Sequence, residues 1–296
     1  MTNAVAPSAG SSPEPSPGPS NEQLKARRGA PTALVFDSGV GGLSVAADIR
    51  RAWPGLHLVY VADNAFLPYG EKTEAQLIAR VPDLLAHWEA VYHPQLIVIA
   101  CNTASTIVLP ACRARLSVPI IGTVPAVKPA AAQSLSKVIG LLGTPGTVKR
   151  AYTDQLIADF ANDVQVIRHG STGLVAIAEA KLRGEAVDID AVAREIAPIF
   201  APPFGAQIDH IVLACTHFPL LREELAQAAP HAVSWIDSGS AIARRVGQLL
   251  SQSDRMKAQR ARDLPLVHEP AIFTDPGGGI DRLAPALQML GLTPIG

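Results

Sequence analysis

The chain has 296 residues, 48% of them apolar, and its 25 basic and 26 acidic side chains leave a net charge of −1. That length and apolar content suit about two packed domains, while the balanced charge gives no electrostatic footprint for nucleic acid or an anionic membrane surface. Three cysteines argue against a disulfide framework and for a reducing, cytoplasmic setting; no signal-peptide pattern opens the chain, and no run approaches the ~20 apolar residues of a membrane span.

Residues 1–30 hold Pro7, Pro13, Pro15, Pro17 and Pro19 among Ala, Ser and Gly, a composition unable to offset its ordering entropy, and they are expected to be disordered. Order begins near Pro31. Ala33–Phe36 reads as a buried strand running into Asp37-Ser38-Gly39-Val40-Gly41-Gly42 and then a helix to about Trp53. Leu58–Ala62 is a second strand ending at Asp63-Asn64, and Pro68-Tyr69-Gly70 turns the chain into a helix of about 73–91. Leu96–Ala100 stops at Cys101, Pro119–Gly122 is a further strand, and an alanine-rich helix, Ala126–Ser136, leads into the second half.

The second half opens in the same way, with the strand Val138–Leu142, the loop Gly143-Thr144-Pro145-Gly146-Thr147 and a helix to about Phe160. A strand at Val164–Ile167 and helices near Leu174–Leu182 and Asp190–Phe200 precede Ile211–Ala214, which stops at Cys215. A helix of about 220–228, the strand Val233–Ile236, Asp237-Ser238-Gly239 and a helix to Leu250 follow. Ser251–Arg262 reads as a charged surface insertion. A strand at Ala271–Thr274, the loop Gly277-Gly278-Gly279 and a helix to Leu290 should then pack back on the first unit. Strands and helices alternate throughout, so the fold class is α/β with parallel sheets, in two similar units formed by residues 31–125 plus 237–296 and by residues 126–236.

The two halves echo each other most closely in LIVIACNTAS (Leu96–Ser105) and HIVLACTHFP (His210–Pro219). Each is a buried strand that ends at a cysteine and is followed by residues that suit a helix start. A helix N-terminus favours a thiolate, so two reactive thiols are expected, whereas Cys112 lies in a helical stretch without that context and reads as structural. Ligands of parallel sheets bind beyond the carboxyl ends of the strands. Asp37, Ser38, Asp63, Cys101, Asn102, Thr103, Gly143, Thr144, Cys215, Thr216 and His217 all fall there.

A nicotinamide site fits poorly, because Ser44 occupies the place of the third glycine and Asp37 would repel a pyrophosphate. Zinc lacks ligand pairs at the usual spacing, and a thiol hydrolase would leave the second matched cysteine idle. Two thiols on opposite walls of a cleft suit removal of a proton from one face of a carbon and its return to the other. Some of these residues also have plainer readings: Asp37 or Asp63 as helix caps, Tyr69 as turn packing, His217 as a surface histidine and Glu179 as one member of an ion pair.

FDSGVGGLSV (Phe36–Val45), YVADNAFLPYG (Tyr60–Gly70), CNTAS (Cys101–Ser105), LLGTPGTV (Leu141–Val148) and LACTHFPLL (Leu213–Leu221) resemble the glutamate racemases of the aspartate/glutamate racemase family, over about residues 33 to 293. The resemblance implies two pseudo-symmetric, flavodoxin-like domains facing across a cleft. It also implies cofactor-independent interconversion of L- and D-glutamate, supplying D-glutamate for peptidoglycan, in a cytoplasmic homodimer. By the same resemblance Cys101 acts on the D-enantiomer with help from Asp37, and Cys215 acts on the L-enantiomer with help from His217. Asp37, Ser38, Tyr69, Gly70, Asn102, Thr103, Thr216 and His217 are then the substrate contacts, with Asp63 and Glu179 as supporting acids. The sequence departs from the family pattern at Ser171-Thr172, which replaces a common Cys-Pro and leaves the register of Glu179 open. A racemase for aspartate or another amino acid on the same two-thiol plan, and a degenerate binding or regulatory module that keeps the fold, are the competing readings.

Overall fold

The computed structural model describes residues 31–252, 254, 255, 257, 269–277 and 279–295. The tail 1–30 and most of the 251–262 insertion lie outside the described residues. Among the described residues ten strands form two sheets, and every neighbouring pair of strands is parallel. The first sheet holds β1 (Thr32–Asp37), β2 (His57–Ala62), β3 (Leu96–Ile99), β4 (Ile120–Gly122), β9 (Glu269–Phe273) and β10 (Leu292–Ile295), in the order β10-β9-β2-β1-β3-β4. The second holds β5 (Val138–Gly143), β6 (Gln165–Gly170), β7 (His210–Ala214) and β8 (Ser234–Ile236), in the order β6-β5-β7-β8.

Both sheets therefore share a run of second, first, third, fourth strand, which β9 and β10 extend beyond β2 in the first sheet, so the internal repeat read from the sequence is present in the topology. The central strands are continuous apolar runs because both of their faces are covered. On β1, Ala33 and Val35 feed one core while Leu34 and Phe36 feed another on the opposite face. On β7, Ile211 and Leu213 face one core, and Val212 and Ala214 the other. Helices supply the cover, among them Leu43–Ala52 on one side of the first sheet and Glu74–Tyr92 on the other. The latter starts at a reciprocal capping box between Thr73 and Gln76, which satisfies two of its free N–H groups.

The structure differs from the sequence reading in several places, and the final helix expected up to Leu290 is a 3-10 turn, Ile280–Leu283, followed by a short helix, Ala284–Gln288. β10 was not anticipated; it pairs only with β9, and as an edge strand it tolerates Pro294, whose missing N–H would break a central ladder. The single helix expected up to Phe160 is divided into Pro145–Val148 and Ala151–Phe160. After Cys215 the chain first forms a 3-10 turn, Phe218–Leu221, and the α-helix begins only at Arg222. Among the described residues no helix is long and apolar enough to cross a membrane.

Candidate active site

In each sheet the strand order reverses between the first and third strands, and connections leave such a point in opposite directions, opening a crevice. Asp37 ends β1 and Cys101 follows β3, so both sit at the crevice of the first sheet. Cys101 caps the helix Asn102–Arg115, and its sulfur accepts the Ala104 N–H at 3.4 Å and lies 3.6 Å from the Ser38 hydroxyl. The expected thiolate is not favoured here. Burial and the negative charge of Asp37 push the Cys101 thiol up to about 12, against the smaller pull of the Ala104 N–H and Ser38. Asp37 is fully buried and accepts the Gly39 N–H at 3.0 Å instead of capping a helix, since Gly42 occupies that cap position. Burial raises its carboxyl above the ordinary range, and His217 and the N–H groups of Gly42 and Gly39 offset part of the rise.

The second thiol has different company. His217 Nδ1 faces Cys215 Sγ at 3.8 Å, and Nε2–H donates to Glu179 Oε1 at 3.0 Å. Arg183, one helical turn beyond Glu179, donates to its other oxygen at 2.7 Å. Burial works against a charged imidazole, but the bonds to Cys215 and Glu179 and the charges of Cys215 and Asp37 outweigh it and push His217 up to about 10. Burial also opposes an ionised Glu179, yet its bond to His217, the His217 charge and Arg183 hold the carboxyl below its usual range. A chain of arginine, carboxylate, imidazole and sulfur thus runs along this wall.

The two walls enclose one cleft of about 530 Å³, lined by Ser38, Tyr69, Gly70, Cys101, Asn102 and Thr103 from the first sheet's side. Thr144, Thr147, Glu179, Arg183, Cys215, Thr216 and His217 line it from the other. Thr103 and Thr147 hydroxyls meet across it at 3.4 Å, and Ser44 donates to the Thr216 carbonyl at 2.8 Å. Asn102 Oδ1 is buried without a hydrogen-bond partner among the described residues, an acceptor suited to an incoming N–H donor. Asp63 does not reach the cleft. It is fully buried, clamped by Arg80 through two bonds of 2.7 Å, by Tyr69 at 2.6 Å and by Thr274 at 2.8 Å. Among the described residues no group of three or more His, Cys, Asp or Glu is arranged to hold a metal ion.

The sequence profile of the Asp/Glu/Hydantoin racemase family matches residues 41–246. The glutamate racemase of Escherichia coli (strain K12 / DH10B) is 47% identical over 264 residues, covering 88% of this chain and 89% of its own. The chain belongs to the Asp/Glu/hydantoin racemase family. The crystal structure of Escherichia coli glutamate racemase with L-glutamate and the activator UDP-MurNAc-Ala superposes with a TM-score of 0.80 at 44% identity, covering 90% of this chain and 98% of that one. Glutamate racemase from Aquifex pyrophilus does so with a TM-score of 0.64 at 27% identity, covering 88% and 94%.

Within this racemase family member, the two matched cysteines and most of the residues singled out from the sequence converge on one cleft, while Cys112 is buried elsewhere, in the core beneath the first sheet. Glu179 lines the cleft, and upstream of it Ser171 accepts the Leu174 N–H at 3.0 Å and donates to Glu195 beside the start of the helix Gly173–Leu182. Arg183 and Thr147 were missed. Arg183 stands four residues after Glu179 on a helix, the spacing of a side-chain ion pair. Thr147 follows a Thr-Pro helix start and accepts no signal stronger than that.

Proposed function

We propose that this chain interconverts L- and D-glutamate without a cofactor, by two-thiol acid–base chemistry, and so supplies D-glutamate for peptidoglycan. The observation that carries the reading is the placement of Cys101 and Cys215 on opposite walls of one cleft, each beside its own ionisable partner. The α-ammonium is bound by acceptors on the first wall, the Ser38 hydroxyl and Asn102 Oδ1, with the buried charge of Asp37, which does not line the cleft, adding attraction. The carboxylates are held by hydroxyl and N–H donors of Asn102, Thr103 and Thr216 and of the Tyr69-Gly70 segment. One sulfur then takes the α-proton while the other, still protonated, delivers a proton to the opposite face. On the L side, His217 can hand Cys215 a proton or balance negative charge on its sulfur, with Glu179 and Arg183 behind it. On the D side, Cys101 rests as a thiol and Asp37 assists its deprotonation.

Chiral chromatography of L-glutamate, D-glutamate and both aspartate enantiomers tests the reading. Glutamate should racemise from either side and aspartate far more slowly; an enzyme that converts aspartate faster, or neither acid, overturns it. The domain boundaries 31–125 plus 237–296 and 126–236 are supported by which strands share a sheet. A cytoplasmic setting is supported by three unpaired cysteines. The homodimer rests on family resemblance and is tested by sedimentation equilibrium.

A further inference from the structure

The loop that follows β1 contains a glycine whose role is not conformational. Among the described residues, the glycines with left-handed backbone are Gly184, Gly279 and Gly291; Gly41 is not one of them, so its φ would suit other residues. What Gly41 lacks is room. A methyl group there would stand 2.4 Å from His217 Nδ1, 2.7 Å from its Cε1 and 2.8 Å from its Cγ, far inside the ~3.5–4.0 Å of favourable contact.

The ring has nowhere to move at low cost. His217 is 4% exposed, with Glu179 bonded to one nitrogen at 3.0 Å and Cys215 facing the other at 3.8 Å. The contact also joins the two sheets, because Gly41 follows β1 and His217 follows β7. Ser44 ties the same two segments together, donating both to the Gly41 carbonyl at 2.9 Å and to the Thr216 carbonyl at 2.8 Å. The neighbouring Gly42 differs, since a methyl there would strike Asp37 of its own loop, at 2.7 Å.

We propose that Gly41 is a positioning residue for the Cys215 half of the reaction: the bare backbone surface it presents is the seat that holds the His217 imidazole in line between Glu179 and Cys215. The seat lies on one half of the protein and the ring on the other. His217 is therefore aligned only while the two loops are together, and a cleft that opens between them releases the proton donor from its place. The kinetic part of this proposal rests on the racemase reading; the contact itself does not.

The test is a cycle of Gly41→Ala, His217→Ala and the double variant. Gly41→Ala alone should lower kcat for L-glutamate by about 10- to 100-fold, within the range of a general acid–base contribution. In protein labelled with ¹⁵N-histidine, it should shift the ring resonances that His217→Ala abolishes and leave the other histidines unmoved. In the His217→Ala background the space is vacant, so adding Gly41→Ala should change neither the residual rate nor Tm, the coupling expected of residues in contact. Wild-type kcat with unmoved His217 resonances in Gly41→Ala would overturn the proposal, as would an equal loss of Tm in both backgrounds. Should the wild-type protein fail to racemise glutamate, the resonance shifts and the Tm cycle still judge the seat, and only the assigned reaction falls.

Discussion

His217 Nε2 lies 3.0 Å from Glu179 Oε1 while its other ring nitrogen faces Cys215, so a carboxylate orients and charges the imidazole behind a thiol. Glu179→Gln keeps the shape and removes the charge. Burial, which disfavours imidazolium, then meets less opposition, and His217 should titrate well below its present value of about 10. Racemisation should fall by about 10²-fold, the lower end of a general acid–base contribution. The enantiomers have equal free energy in water, so kcat/KM must fall equally from both sides; progress curves started from L- and from D-glutamate check both points. A rate within twofold of wild type would remove Glu179 from the proton path.

The same imidazole gives a pH signature in stability. Its folded pKa of about 10 lies above the ~6.5 of an unfolded histidine, so its charge stabilises the fold fully below ~6.5 and progressively less as pH rises towards 10. The Tm advantage of wild type over His217→Gln should therefore be largest near pH 6 and shrink across pH 6.5–10 to a constant remainder. Differential scanning calorimetry in matched buffers measures it. An advantage that grows with pH would mean that the native ring is neutral.

Cys101→Ala and Cys215→Ala should each lose at least ~10² in racemisation rate, whereas Cys112→Ala, which empties a small volume in the core behind Cys101 without lining the cleft, should lower Tm slightly and leave kcat unchanged. In heavy water the wild-type enzyme should place deuterium mainly in the product enantiomer at early times. Cys101→Ala should exchange only the α-proton of L-glutamate, slowly and without inversion, and Cys215→Ala only that of D-glutamate. Proton NMR of each enantiomer reads this directly. Exchange of the opposite enantiomer would reverse the assignment of the thiols to faces.

Asp63 is a test of structure as opposed to chemistry. Asp63→Ala leaves the Arg80 guanidinium facing an emptied site in a region where Asp63 itself was fully buried. Because the Arg80 side chain keeps 24% of its exposure and can be hydrated, the cost should stay below the about 3–5 kcal/mol of a fully buried pair. The substitution also frees Tyr69, so KM for glutamate should rise more than kcat falls, because the Tyr69-Gly70 segment lines the cleft. Denaturant titration and steady-state kinetics check the two effects; a loss confined to kcat would give Asp63 a direct role in proton transfer.

Strands such as β1, β3, β5 and β7 were legible because burial on both faces leaves an unbroken apolar signature, and the duplicated cysteine motif pointed to the cleft at their ends. β10 was not, because Leu-Thr-Pro-Ile carries neither alternation nor a long apolar run, and its pairing to β9 is decided by tertiary packing. The burial of Cys101 was not legible either. Its helix start is where the sequence places it, but the burial and the Asp37 charge that raise its thiol depend on how the chain packs. Arg183 and Gly41 escaped notice because their importance lies in what they touch, and neither Glu179 nor His217 announces its neighbours.

The shared strand order of the two sheets has a consequence in the language of symmetry. Two L-peptide units of the same topology are related by rotation and never by reflection. A rotation carries one thiol onto the other, but it cannot carry L-glutamate onto D-glutamate, which only a mirror can do. A pair of identical halves would thus offer the two enantiomers mismatched surroundings. The thiols have unlike neighbours, a serine and a buried aspartate beside Cys101 and an arginine–glutamate–histidine chain beside Cys215, so the halves differ at the place where the proposed reaction would need them to.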